Sequence, residues 1–166
     1  MNVNLRELAQ RGSPVELRGR LSAEASATGR EDIRIVGGID ASLTARSESD
    51  TAIVDGTLSA ELEFVCSKCL RTSKEKAEVP VTEMFTLQRG IAERDDDIHF
   101  VEEEVVDLSP YLREAFVVQL PMAAVCGEAC KGLCPVCGKD RNAEACGCVQ
   151  ERLDPRFAGL KDFFDS

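Results

Sequence analysis

Between residues 15 and 87 the chain alternates apolar and polar positions in runs that read as strands. Val15, Leu17, Leu21 and Ala23 take turns with Glu16, Arg18, Arg20 and Ser22, broken only at Gly19, which predicts a strand with one wet face. Comparable runs at 33–36, 41–46, 52–65 and 75–87 are separated by Gly37-Gly38, by Ser47 to Asp50, and by the corner Cys66-Ser67-Lys68-Cys69. Strands at this spacing predict a largely antiparallel β-sheet or a partly open barrel. No internal repeat is visible.

The helical period appears in three places. Asn4-x-x-Glu7 resembles a capping box and predicts a short helix over 5–10. Leu112, Ala115, Phe116 and Leu120 recur at helical spacing behind Ser109 as N-cap and Pro110 at the first helical position, and Pro121 closes the element, so 110–119 is expected to be a helix packed on the sheet. Asp154-Pro155 can open a last helix with Phe157, Leu160, Phe163 and Phe164 along one stripe. Between the strands and the second helix, Glu93 to Asp97 reads as an acidic surface loop, and Ile98, Phe100, Val105 and Val106 as one short strand. His99 has no cysteine or serine nucleophile near it in sequence and is expected to be structural.

Charge changes this picture only locally. The chain of 166 residues carries a formal −10, but residues 93–107 alone hold −7, leaving −3 for the other 151. The acidity therefore does not exclude a polyanionic partner elsewhere on the surface. The segment itself suits either solvent or a basic protein. The N-terminal MNVNLRELAQRG has neither a basic nor an apolar region of a secretory signal. The longest apolar stretch, Ala115 to Val125, is interrupted by Gln119 and Pro121 and falls short of the roughly 20 residues of a membrane span. A soluble cytoplasmic protein is expected.

Eight cysteines carry the candidate chemistry. Cys66 and Cys69 form a C-x2-C corner, and Cys126, Cys130, Cys134, Cys137, Cys146 and Cys148 crowd into 23 residues. In a reducing compartment such spacing points to metal or redox work in preference to disulfides. Two cysteines two residues apart can grip one tetrahedral ion where the chain turns tightly, and Pro135 and Gly138 suit such a turn around Cys134 and Cys137. Eight thiolates saturate two zinc ions, which leaves no open position for catalysis. Two partitions satisfy the spacing. One sets Cys66, Cys69, Cys126 and Cys130 on one ion and Cys134, Cys137, Cys146 and Cys148 on the other; the second pairs the two C-x2-C corners and leaves Cys126, Cys130, Cys146 and Cys148 together. Either partition ties the β region to the C-terminal cysteines.

Iron–sulfur binding and a redox dithiol are the competing chemistries. Tight C-x2-C corners and a C-x-C pair resemble zinc modules more than cluster sites, and Cys66-x2-Cys69 lies between strands and not at a helix N-terminus, where a thiol pKa would fall. The chain is accordingly expected to be α+β, with a β-rich domain over 1–125, a zinc module over 126–148 tied to Cys66 and Cys69, and a helical tail over 149–166. Lys68, Arg71, Lys74 and Lys76 flank the first corner, and Lys131, Lys139 and Arg141 lie in the second cluster. These cations suit either phosphate or neutralisation of the thiolate sites. No Gly-rich phosphate loop, catalytic triad or base-stacking aromatic strand is evident.

The string Cys126-x3-Cys130-Lys-Gly-Leu-Cys134-Pro-Val-Cys137-Gly138, then Asn142, Cys146-Gly-Cys148 and Asp154-Pro-Arg-Phe-Ala-Gly-Leu160, resembles the YceD family. Val65-Cys66-Ser-Lys-Cys69-Leu-Arg71 and Asp107-Leu-Ser-Pro-Tyr-Leu-Arg-Glu114 with Leu120-Pro121 are similar to the family's upstream elements, so the resemblance covers about residues 50–162. One departure is Asp140-Arg141-Asn142, where the family often has Asn-Leu-Asn. The resemblance favours the first partition, because some members keep the equivalents of 66, 69, 126 and 130 without the later block. It implies a non-enzymatic ribosome-biogenesis factor supporting accumulation and processing of the 23S rRNA of the large subunit. The implied partners are ribosomal RNA, a pre-ribosomal particle or a basic ribosomal protein. On that reading Lys68, Arg71, Lys74, Lys131, Lys139 and Arg141 are the candidate RNA contacts. A protein-interaction adaptor that never touches RNA, or a thiol redox switch, are the readings it competes with.

Overall fold

A computed structural model describes residues 1–22 and 28–149. The predicted terminal helix after Asp154 lies outside the described residues. Seven strands and three helices run in the order β1 (Asn2–Asn4), α1 (Leu5–Arg11), β2 (Val15–Leu21), β3 (Ile33–Glu48), β4 (Thr51–Val65), β5 (Thr72–Thr86), α2 (Arg89–Ala92), β6 (Ile98–Phe100), β7 (Val105–Asp107) and α3 (Ser109–Val118) among the described residues. The fold is α+β. Its main sheet has the order β2-β3-β4-β5-β6, antiparallel except where β6 runs parallel to β5. Its two edge strands do not pair with each other, so it is an open sheet and not a closed barrel.

Long strands form here because the alternation is sustained. On β4 the even-numbered Ala52, Val54, Leu58, Ala60, Leu62 and Phe64 are buried, and on β3 the odd-numbered Ile33, Ile35, Ile39, Ala41, Leu43 and Ala45 face them. The predicted break at Gly37-Gly38 is absent; β3 passes through it. Val36 pairs with Glu61 and Asp40 with Ser59, so three residues of β3 stand opposite one of β4. Two extra residues keep the side-chain parity, whereas a bulge of one would turn the remaining strand inside out. Glycine is required in this bulge, since a Cβ on Gly38 would lie 2.7 Å from the Leu21 carbonyl oxygen. At the other end of the β3–β4 hairpin, Glu48 pairs with Thr51, and Ser49 and Asp50 both take positive φ (47° and 66°), the two-residue turn that matches strand twist.

The helices close one face of the sheet. Asn4 accepts the Glu7 N–H at 3.0 Å, which starts α1, and Leu5 and Leu8 enter the core beside β3 and β4. Leu112 and Phe116 of α3 are fully buried near β5. This helix starts at Ser109, one residue before the predicted 110, and Ser109 is not its N-cap. Leu108 holds that position without a side-chain cap, and the Asp107 carboxylate just before it accepts the Ser109 N–H at 3.0 Å and its hydroxyl at 2.6 Å. Two short strands replace the single one expected after the acidic turn: β6 extends the main sheet, and β7 pairs with β1 in a separate ribbon. His99 packs against both the Phe85 and Tyr111 rings, with Nε2 2.8 Å from Glu83, a structural placement.

Candidate metal centre

The turn from β4 to β5 is a knuckle. Val65 pairs with Thr72, and in the six residues between them the Cys66 N–H donates to the Arg71 carbonyl at 2.9 Å while the Leu70 N–H returns to the Cys66 carbonyl at 2.9 Å. The second C-x2-C corner repeats this pattern. There the Cys134 N–H donates to the Lys139 carbonyl and the Gly138 N–H to the Cys134 carbonyl, both at 2.8 Å. Such a loop frees the first sulfur of each pair to accept backbone N–H groups and turns both sulfurs to one side. It also demands a left-handed residue after the second cysteine. Gly138 takes φ 72° at no cost, but the same place in the first knuckle holds Leu70 at φ 58°, which costs a residue with a Cβ about 1–2 kcal/mol.

The partners of the first knuckle arrive from below α3. Arg30 clamps Asp32 with two guanidinium nitrogens (2.9 and 2.5 Å) and donates to the Pro121 and Met122 carbonyls at 2.7 and 2.9 Å, fixing the strap that leaves the helix. The Ser67 N–H and hydroxyl then both reach the Ala124 carbonyl, at 2.9 and 3.0 Å. Cys126 and Cys130 are thereby set against the hairpin tip. The Cys66 and Cys130 sulfurs lie 3.9 Å apart and those of Cys69 and Cys126 3.6 Å.

Two groups result, Cys66/Cys69/Cys126/Cys130 and Cys134/Cys137/Cys146/Cys148, each with its four sulfurs within 4.8 Å of one another. Of the two partitions open in the sequence, this is the first. A tetrahedral ion with metal–sulfur bonds of about 2.3 Å needs sulfurs about 3.8 Å apart, so both groups can hold a metal ion and are compatible with zinc. A multi-iron cluster would spread its four thiolates over separate irons and need a wider set.

The surroundings of the thiols differ within each set. The Cys126 N–H, 3.4 Å from Cys66 Sγ, lowers the Cys66 thiol to about 6, and the Cys137 and Val136 N–H groups bring Cys134 to about 6 as well. The neighbouring sulfur of Cys130, then that of Cys69, pushes Cys126 up to about 12, and crowding by Cys137 does the same to Cys148. Backbone N–H groups thus favour the thiolate at Cys66 and Cys134, while neighbouring sulfurs disfavour it at Cys126 and Cys148. A divalent ion held by the four sulfurs would supply the charge that favours the thiolate at Cys126 and Cys148 as well.

A family model described as "Large ribosomal RNA subunit accumulation protein YceD" matches residues 54–164, a span that contains all eight cysteines. The chain belongs to the YceD family. It is 32% identical over 166 residues to an uncharacterized protein of Mycobacterium tuberculosis, covering 96% of this chain and 79% of that one. It is 30% identical over 131 residues to the uncharacterized protein YlbN of Bacillus subtilis, covering 78% and 76%. A chloroplastic protein of Arabidopsis thaliana named large ribosomal RNA subunit accumulation protein YCED homolog 1 is 33% identical over 67 residues, 40% of this chain and 21% of that one. No solved structure matches.

In this YceD-family chain the second set is docked on the first through a short seam. The Leu133 N–H donates to the Lys68 carbonyl at 2.9 Å, and the Arg141 N–H to the Gly132 carbonyl at 3.0 Å. Gly132, at φ 68°, is pressed so closely that a Cβ there would lie 2.9 Å from the Lys68 oxygen. Two side chains span the seam. Arg71 reaches Asp140 at 3.0 Å, and the Asn142 amide donates to Cys130 Sγ at 3.6 Å while its oxygen accepts the Lys131 N–H at 2.8 Å. Asn142 is in the family string, yet its reach to a sulfur of the other set is invisible in sequence. Arg30 and Ser67 were also missed as anchors, and no local signal marks them.

The six candidate cations separate into two groups. Arg71 is held by Asp140 and by the Cys69 sulfur, which raises its pKa; Lys74 pairs with Glu61 and Glu63 at 3.3 and 3.8 Å, and Lys139 with Glu144 at 3.4 Å. Lys68, Lys131 and Arg141 are exposed and have no carboxylate within 4.0 Å among the described residues. No helix among the described residues is long and apolar enough to cross a membrane.

Proposed function

We propose that this chain is a cytoplasmic, non-enzymatic zinc protein of ribosome biogenesis that supports accumulation and processing of 23S rRNA by binding large-subunit RNA or a precursor particle. The observation that carries this reading is the pair of four-sulfur sets, each sized for one tetrahedral ion, in a chain of a family described by large ribosomal RNA subunit accumulation. Four thiolates fill the coordination of zinc, so the ions serve to shape the chain and not to activate water. Cys66, Cys69, Cys126 and Cys130 would hold one ion and Cys134, Cys137, Cys146 and Cys148 the other. Lys68, Arg71, Lys74, Lys131, Lys139 and Arg141 are the cations on the zinc-bearing face that RNA could meet.

Metal analysis should give two zinc ions per chain in a colourless protein, and Cys66→Ser should lose one ion and lower the melting temperature. Depletion should reduce 23S rRNA, and the protein should co-sediment with large-subunit precursors and crosslink to their RNA. Unchanged 23S levels together with no co-sedimentation would reject the role. The exposed run Asp95 to Asp97 favours a second reading, an adaptor that recruits a basic ribosomal protein. Co-sedimentation without RNA adducts would select it.

A further inference from the structure

The first knuckle breaks a rule that its twin obeys. Both make the same backbone bonds and both need a left-handed residue after the second cysteine, but Gly138 fills that place in one and Leu70 in the other. Leu70 recovers nothing by burial, because 64% of it faces solvent. Of the non-glycine residues with positive φ among those described, Ser49 and Asp50 make a polar hairpin turn, and only Leu70 is large and apolar. A strained, exposed apolar side chain where glycine fits better points to a contact.

The cations give that contact its character. Lys68 precedes Leu70 in the knuckle, Lys131 adjoins Gly132, and the Arg141 N–H bonds the Gly132 carbonyl, so the backbones of three exposed cations, none with a carboxylate within 4.0 Å among the described residues, meet at the seam. This happens in a chain where 30 acidic residues face 20 basic ones. Arg71, beside the Cys69 sulfur and paired with Asp140, already supplies one positive charge to the first thiolate set. Cationic side chains around an exposed aliphatic residue suit a ligand with both negative charge and bare apolar faces. Single-stranded nucleic acid has both, whereas a duplex hides the faces of its bases.

We infer that the seam between the two cysteine sets is a contact site for unpaired RNA, with Lys68, Lys131 and Arg141 on phosphates and Leu70 against the face of one base. The inference rests on the RNA reading proposed above and narrows it from six cations to three plus one apolar residue.

The test is fluorescence anisotropy of the zinc-loaded full chain with a labelled single-stranded RNA oligonucleotide of mixed sequence, with its duplex as competitor. Lys68→Gln/Lys131→Gln/Arg141→Gln should weaken binding about tenfold or more and reduce the salt slope by about 2, at roughly 0.7 per phosphate. The charge-matched control Arg18→Gln/Arg34→Gln/Lys76→Gln should change far less. Leu70→Gly should weaken binding roughly fivefold with the slope intact, while raising the melting temperature, which excludes unfolding as the cause. Wild-type affinity in either the seam triple variant or Leu70→Gly, or equal competition by the duplex, overturns the inference. If those variants bind normally while the wild type still crosslinks to large-subunit precursors, only this site is wrong; if the wild type binds no RNA and crosslinks to none, the functional reading falls with it.

Discussion

Replacing Asn142 with alanine should weaken the metal site to which Asn142 does not belong. Asn142 lies in the loop between Cys137 and Cys146, so by sequence it is part of the second set, yet its amide donates to the Cys130 sulfur of the first at 3.6 Å. The same nitrogen is 2.7 Å from Asp140 Oδ1, and the side-chain oxygen holds the Lys131 N–H at 2.8 Å. A hydrogen bond to a charged acceptor contributes about 1.5–3 kcal/mol, and an exposed donor such as Asn142 belongs at the lower end. Loss of about 1.5 kcal/mol is close to a tenfold loss of affinity, the low end of what residues supporting metal ligands usually give. Cadmium substitution separates the sites, since each four-thiolate set gives its own NMR resonance, and chelator competition can be followed one resonance at a time. Asn142→Ala should shift the resonance of the 66/69/126/130 set to about tenfold easier release. If only the other resonance changed, or neither did, the bond from Asn142 to Cys130 would have no energetic role.

Other predictions concern the seam, the metal and the acid limb. Gly132→Ala puts a methyl 2.9 Å from the Lys68 carbonyl and asks a residue with a Cβ to hold φ 68°, so it should cost about 1–2 kcal/mol of docking and raise hydrogen exchange at Leu133 while leaving β3 unaffected. Removing metal with a chelator near pH 7 should expose amides of 126–148 to exchange while the buried pairs of β3 and β4, which rest on apolar contacts, stay protected; simultaneous loss of both would show that the sheet depends on the ions. The Asp107 carboxyl is held well below its usual range by the Ser109 hydroxyl and N–H and by the Met1 amine at 3.0 Å. A depressed folded pKa means stability that is present above about pH 4 and lost as pH falls through the folded value, so Asp107→Asn should flatten the acid limb of a denaturation profile measured from pH 5 down. Phe85→Ala removes a fully buried ring that meets Tyr111 edge-on at 4.9 Å and should cost about 3–5 kcal/mol by urea denaturation; a loss below about 1 kcal/mol would show that this part of the core can collapse.

What could be read without the structure was local. Asn4-x-x-Glu7 announced α1 because a capping bond spans one turn, and the C-x2-C corners announced themselves because two sulfurs on one turn face the same way. The misreadings came from residues with two roles. Gly37-Gly38 looked like a turn and is a bulge, a distinction that rests on the Leu21 backbone lying over it. Ser109 before a proline looked like a cap, but the helix starts on it, Leu108 holds the cap position, and the Asp107 carboxylate accepts the Ser109 N–H from outside the helix. Pairing between β1 and β7 was out of reach, since three-residue strands a hundred positions apart carry no period. The cations are the sharpest case: their identities were plain, but only the positions of Asp140, Glu61, Glu63 and Glu144 show which were already paired.

The two sets also differ in what holds them when empty. Cys66 and Cys69 are buried at the end of paired strands, and Cys126 is set by a strap that Arg30 and Ser67 fix to the sheet, so the first site is largely built before metal arrives. The second set has no strand beneath it. It reaches the fold through the Leu133 backbone bond to Lys68, the Arg71–Asp140 pair and Asn142, and the last of these ends on a sulfur of the first set. An ion in the first site would therefore hold Cys130, and through the Asn142 bond to its sulfur the loop that carries the second set, whereas an ion in the second site would give the strands nothing they lack. Metal loading should accordingly proceed from the sheet outward, and the seam that carries Lys68, Lys131 and Arg141 should be complete only when both ions are bound. If the seam binds unpaired RNA as proposed, titrating zinc into the metal-free chain should raise RNA anisotropy only as the second ion loads, and full binding at one ion per chain would refute this order.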